Sequence, residues 1–394
     1  MKVIFKKLLV LGVALFLSLG AYSQRKGKSS YKTLSFPLSE KHWIPKSDNV
    51  QFVDYKSTKA VKSSNDESFE ILLKDQEFSI GTIEFDVELK GMGFPGINFH
   101  LDEETGNSEV FYLRYFGRLS PLSRTTMQYA VFIDGINLWD LTDEYQAGAA
   151  LTENEWNHIK LVISENQMKV YVNNMERAAL LVPALEGLTK TGKISLNGDV
   201  IYANFKMTPN ATEDVPHGVG YDYTYNDPNF LRNWEVQEPI AFAMGKDPMK
   251  QIEADLGTTI DPAYYDASKS WSPVSAKYRG MVNLTEKFGA TEIGTRRLTW
   301  LRTTVTSARE QEKMLRMGFS DEVWVFINGE PLHQNKNYYG SPGMKEPRGR
   351  ATLENTKFEV PLKEGENEIL IGLSNYFFGW GLTARWNDTA GLSY

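Results

Sequence analysis

The chain has no cysteine among its 394 residues. That absence excludes a disulfide scaffold, a cysteine nucleophile, a thiolate metal site and an iron–sulfur cluster. It also lacks an excess of positive charge. Lys and Arg number 43 against 50 Asp and Glu, a formal charge of −7. A broad nucleic-acid-binding face needs the opposite balance. No fixed-period repeat, low-complexity tract, His-x-His pair or Gly-rich phosphate loop occurs. The long apolar run, Leu8 to Leu19, falls short of a transmembrane helix. Aromatic residues are abundant, with 9 Trp, 19 Tyr and 21 Phe. Such a supply suits β-sandwich cores and stacking on sugar rings.

Lys2, Lys6 and Lys7 precede the apolar run, and Ala21-Tyr22-Ser23 follows it. This is the layout of a secretory signal peptide over residues 1–23, with the mature chain starting at Gln24. The expected location is therefore secreted or periplasmic, with no membrane span. The absence of cysteine fits a bacterial exported protein that does without disulfides.

The rest reads as strands separated by turns. From Thr82 to Lys90, Ile83, Phe85, Val87 and Leu89 alternate with Glu84, Asp86 and Glu88. A half-buried antiparallel strand has this pattern. Ile97–Leu101 and Val110–Phe116 alternate likewise. Trp156–Ile163 and Gln167–Asn173 flank a Ser164-Glu165-Asn166 turn, as in a hairpin. Lys193–Leu196 and Tyr202–Met207 close a first block. Pro, Gly, Asn and Asp crowd residues 208–229, which marks a junction. Tyr221, Tyr223 and Tyr225 alternate there, either as a short strand or as an aromatic strip along an interface. In the second block, Leu298–Val305, Glu322–Asn328, Phe358–Leu362 and Glu368–Leu373 read as strands. Ala308–Arg316 reads as a helix of about two turns. The expected fold is all-β: two β-sandwich (jelly-roll) domains in tandem after a signal peptide. The first covers residues 24–212, the linker 213–229 and the second 230–394.

Two resemblances rest on longer stretches. GTIEFDVELKG (81–91), GINFHL (96–101), EWNHIKLVISENQMKVYVNN (155–174) and GKISLNGDVIYANFKM (192–207) resemble the concanavalin-like lectin/glucanase superfamily. The likeness is to its laminin-G and 3-keto-disaccharide-hydrolase-like branches. SDEVWVFINGEPL (320–332) and KEGENEILIGLSNYFFGWGL (363–382) resemble a galactose-binding-like jelly roll attached to carbohydrate-active enzymes. Both resemblances imply carbohydrate as the usual ligand class and a role in polysaccharide degradation.

Side-chain alternation nominates a site. With Ile97, Phe99 and Leu101 turned to the core, Asn98 and His100 face the other way. With Phe111, Leu113 and Tyr115 in the core, Tyr112 and Arg114 share that outward face. Gln128 and Trp139 follow close by. In concanavalin-like folds this face is commonly a sugar groove. His100, Tyr112 and Arg114 are the candidate catalytic residues; Asn98, Gln128, Trp139 and Arg118 are the candidate substrate-binding ones. Such a set has the parts for β-elimination on a uronic acid. Arg and amide groups neutralise the carboxylate, and Tyr or His moves the proton. Val110 to Ile133 supports this, since it holds Arg114, Arg118 and Arg124 and no acid. An isolated basic strip on an acidic chain fits an anionic partner, a uronate or sulfated glycan. The expected activity is that of a carbon–oxygen lyase, either a polysaccharide lyase or an oligosaccharide dehydratase.

Two alternatives stand beside it. Glu84-x-Asp86-x-Glu88 resembles the acidic motif of family 16 glycoside hydrolases, which makes Glu84 and Glu88 a candidate hydrolytic pair. A non-catalytic glycan-binding protein is the other. No cofactor is expected, and no metal beyond a structural calcium at Asp102-Glu103-Glu104 or Asp321-Glu322. The oligomeric state is left open.

Overall fold

The computed structural model describes residues 31–116, 120–251 and 258–394. The signal-peptide expectation over residues 1–23 lies outside them. Two antiparallel sheets share residues 34–209. In one, Asn157–Ile163, Gly81–Leu89 and Val200–Pro209 lie side by side at the centre. In the other, Met127–Ile133, Ser108–Leu113, Gly96–Leu101 and Lys193–Gly198 are neighbours. Ile83, Phe85, Val87 and Leu89 face Ile97, Phe99, Phe111 and Leu113 across one buried core. The period of two read from the sequence thus places this layer as expected.

Two larger sheets and a two-stranded ribbon, Met249–Gln251 with Thr258–Ile260, share residues 233–393. Arg297–Ser307, Gly365–Asn375 and Asp321–Ile327 pair consecutively in the larger one. Gly381–Trp386, Gln311–Phe319 and Thr356–Leu362 pair in the smaller one. Leu301, Val323, Ile371, Met317, Leu382 and Trp386 meet between them. The fold class is the expected one: all-β, with sandwiched sheets. Among the described residues no helix is long and apolar enough to cross a membrane.

One element differs. Residues 308–316 were expected to form a helix, yet Gln311–Phe319 is a strand. Leu315, Met317 and Phe319 are buried on one side, and both edges pair with neighbouring strands. Glu, Lys, Met and Leu favour helices only weakly, and the tertiary slot overrides them.

A turn at residues 138–143 joins the two halves. The Asp140 carboxylate accepts from Gly379 N at 3.1 and 3.2 Å. Its carbonyl accepts from Ala351 N at 3.0 Å. Arg279 donates to the Leu141 carbonyl at 2.6 Å and grips the Glu186 carboxylate at 2.8 and 2.9 Å. Met281 and Ala351 extend the first core into the second half. Asp321 stands nearby and accepts from Phe377 N at 2.9 Å.

Burial pushes the Asp140 carboxyl up to about 8, and Asp321 adds to the push. Burial likewise raises Asp321 to about 7. Both folded-state values lie above the ordinary carboxylate value, so the folded chain binds these protons more tightly than the unfolded chain. Their contribution is complete at low pH and is lost as pH rises through about 8. The melting temperature should therefore fall between pH 5 and 8.5, and Asp140→Asn should make the fall shallower. Equal slopes for the two proteins would show that Asp140 is ionised in the fold.

Candidate functional site

Tyr112 and Gln128 lie directly opposite each other on adjacent strands. Their side chains share the face away from the core. The Tyr112 hydroxyl donates to Gln128 Oε1 at 2.9 Å. Arg114, two residues along and so on the same face, donates to the Tyr112 hydroxyl at 2.8 Å and to Gln128 Oε1. Its guanidinium lies 5.0 Å from the centre of the Tyr112 ring, a cation–π contact. Gln128 is fully buried and donates to the Trp139 carbonyl at 2.7 Å and to Thr142 Oγ1 at 2.9 Å. One amide thus ties the strand face to the joining turn. The structure brings together Tyr112, Arg114, Gln128 and Trp139.

The second half adds residues that sequence reasoning missed. Arg350 lies 4.9 Å over the Trp139 ring and 3.2 Å from Asp143 Oδ1. Arg124 reaches the other oxygen of Asp143 at 3.1 Å. Burial acts against the charges of both Arg114 and Arg350; Arg350 adds to this at Arg114, and Arg124 adds to it at Arg350. Among the described residues Arg114 has no carboxylate within ion-pair distance. Asp143 thus pairs with two guanidinium groups, and Arg114 lies close enough to feel the charge of Arg350. Aromatic rings border them. Phe94 packs on Tyr112 and Phe116, and Tyr339 and Phe378 pack on Trp139. Phe94, Phe116 and Tyr339 are 55%, 52% and 49% exposed. The sequence around Arg350, GMKEPRGR (343–350), carries no pattern beyond that of a basic Gly/Pro loop.

Other candidates go elsewhere. His100 is 1% exposed and does not share the face of Tyr112 and Arg114. Its φ of 54° breaks the strand alternation and turns the ring inward. There it meets Glu109 at 3.0 Å and the Ser79 carbonyl at 2.7 Å, stacked on Phe78. Glu109 also accepts from Tyr129 at 2.6 Å, so the imidazole belongs to a buried polar network. Asn98 is buried, and its side chain donates to Ser195 at 3.0 Å. Arg118 lies outside the described residues.

The acidic strand has a distinct environment. Glu84 and Asp86 both bind His158, at 3.2 and 2.6 Å. Glu88 is buried between Lys56 at 2.8 Å, Lys90 at 2.7 Å and the Tyr55 hydroxyl at 2.9 Å. His158 holds Glu84 below the usual carboxylate range. Asp86 and Glu88 are also lowered; burial opposes this, but their hydrogen-bond partners outweigh it. A glycosidase acid needs the reverse shift. The possible calcium loops are internally satisfied. Asp102 accepts from Glu104 N and Thr105, and Glu103 from Lys46 and Lys193. Asp321 accepts from backbone amides, and Glu322 pairs with Arg296 and Lys336. Among the described residues no group of three His, Cys, Asp or Glu is placed to hold a metal ion.

No protein-family model matches the chain, and no curated protein matches it. Solved structures do. A carbohydrate-binding module, CBM66, from Bacillus subtilis is 19% identical over 42% of this chain and 95% of its own, with a TM-score of 0.32. A β-glucanase from Bacillus licheniformis is 12% identical over 45% of this chain and 99% of its own, at 0.33. A family 35 carbohydrate-binding module from an environmental isolate is 14% identical over 26% and 70%, at 0.17. These likenesses assign no role to any residue of this chain.

Replacing Gln128 by Leu should leave the Tyr112 hydroxyl, an Arg114 N–H and the Trp139 carbonyl without their partner. At roughly 1–3 kcal/mol per orphaned group, urea unfolding should register a loss of about 3 kcal/mol. A loss under about 1 kcal/mol would mean the network is slack. The Asp86 and Glu84 hydrogen bonds raise His158 to about 9. Its ring protons should therefore stay at imidazolium shifts through pH 7.5 by NMR; a midpoint near 6.5 would contradict the pairing.

Proposed function

We propose that this chain binds an acidic glycan across the face formed by Arg114, Arg124 and Arg350. The observation that supports it is the charge count of the face. Arg124 and Arg350 pair with Asp143, and Arg114 beside them has no carboxylate within ion-pair distance among the described residues, on a chain whose net charge is negative. Desolvated guanidinium groups recognise carboxylate and sulfate oxygens in bidentate fashion. Exposed Phe94, Phe116 and Tyr339 offer faces on which the apolar side of a pyranose ring can rest. Arg114 is held in place by Tyr112 and Gln128, so little side-chain freedom remains to be lost on binding.

Binding is the better reading than β-elimination. Elimination needs a base beside the arginines. Burial pushes the Tyr112 hydroxyl up to about 12, so it keeps its proton at neutral pH. His100 is enclosed with Glu109. Hydrolysis at Glu84 and Glu88 lacks a carboxyl group that stays protonated.

Calorimetry with oligogalacturonate, oligoalginate and heparin oligosaccharides tests the reading. At least one should bind, more weakly as salt rises. Loss of one charge-assisted contact in Arg114→Ala should weaken it by about tenfold or more. Unsaturated products in the same mixtures, seen by mass spectrometry, would restore elimination. Equal affinity in Arg114→Ala would remove this face from consideration.

A further inference from the structure

A cleft lies between the two halves, formed by the junction and by residues on both sides of it. Its volume is about 790 Å³, inside the usual range of roughly 300–1,000 Å³ for small-molecule sites. The junction runs along it as a fastened strap. Gly220 N donates to the Pro183 carbonyl at 2.7 Å, and Gln167 holds the Gly218 carbonyl at 2.7 Å. Asp222 caps the next turn by accepting from Thr224 N at 2.8 Å. Tyr221, Tyr223 and Tyr225 form no strand here. Tyr223 bonds Glu144. Tyr221 and Tyr225 line the cleft and are 81% and 74% exposed.

Charge sets this cleft apart from the arginine face. Glu186 is gripped by Arg279, and Lys277 pairs with Glu286. Arg232 binds Thr224, and Lys190 reaches the Leu185 carbonyl at 3.2 Å. The cleft's three acids, Glu186, Asp222 and Glu286, match its three cations, Lys190, Arg232 and Lys277. Formal charge cancels, and the two tyrosine rings are left open. A ligand with flat apolar faces, a hydroxyl rim and no charge has the matching chemistry.

We propose that the junction cleft is a binding site for a neutral oligosaccharide, stacked on Tyr221 and Tyr225. It stands independently of the acidic-glycan reading, because no arginine of that face lines it. The two tyrosines are exposed, so alanine at both positions should leave the melting temperature unchanged. The test is calorimetry of the purified chain with cellotetraose, xylotetraose, mannotetraose and laminaritetraose. At least one should bind, and the Tyr221→Ala/Tyr225→Ala variant should bind it about tenfold more weakly. Tyr221→Phe/Tyr225→Phe should retain most of the affinity, since the ring is kept. Absence of binding by all four at millimolar concentration would overturn the proposal. So would binding that survives the double alanine variant.

Discussion

The turn at residues 138–143 is the constraint on which the arginine face depends. It carries four linkages in six residues. Asp140 takes the Gly379 amide, and its carbonyl takes the Ala351 amide. The Leu141 carbonyl takes Arg279, and Asp143 takes Arg350. The Trp139 and Thr142 carbonyls also hold Gln128, which positions Tyr112 and Arg114. The same short segment thus orients Arg114 from one side and brings in Arg350 from the other. Buried carboxyl groups are costly when ionised. Burial raises Asp140 and Asp321 toward their neutral forms, and Asp143 is the carboxyl group that pairs with Arg124 and Arg350.

Charge is distributed unevenly over this acidic chain. The strand that carries Glu84, Asp86 and Glu88 is neutralised by His158, Lys56 and Lys90, and its carboxyl groups stay ionised. The junction cleft balances its charges internally. The face around Arg114 has two arginines paired with one Asp143 and a third, Arg114, without an ion pair among the described residues. The two proposed sites therefore differ in charge, one rich in arginine and the other balanced.

Period-two alternation made the first sandwich legible. Ile83, Phe85, Val87 and Leu89, and Phe111 with Leu113, needed no tertiary information. Tyr112, Arg114 and Gln128 followed from the same alternation, because their strands are regular. His100 did not, since one left-handed residue at a strand end reverses a side chain and no local pattern announces it. Arg350 and Tyr339 were invisible for another reason. They sit more than 200 positions from Arg114 in the chain, in a loop whose composition says only that it is exposed. The strand at Gln311–Phe319 was hidden by residues that favour helices, until two neighbouring strands imposed their register.

A crystal structure of the chain with an acidic trisaccharide, such as trigalacturonate, tests the central claim most directly. A sugar carboxylate should lie within hydrogen-bonding distance of both the Arg114 and Arg350 guanidinium groups, with a ring against Phe116 or Tyr339. Ligand seated instead over Glu84 and His158, or an arginine face that stays bare at saturating ligand, would contradict it.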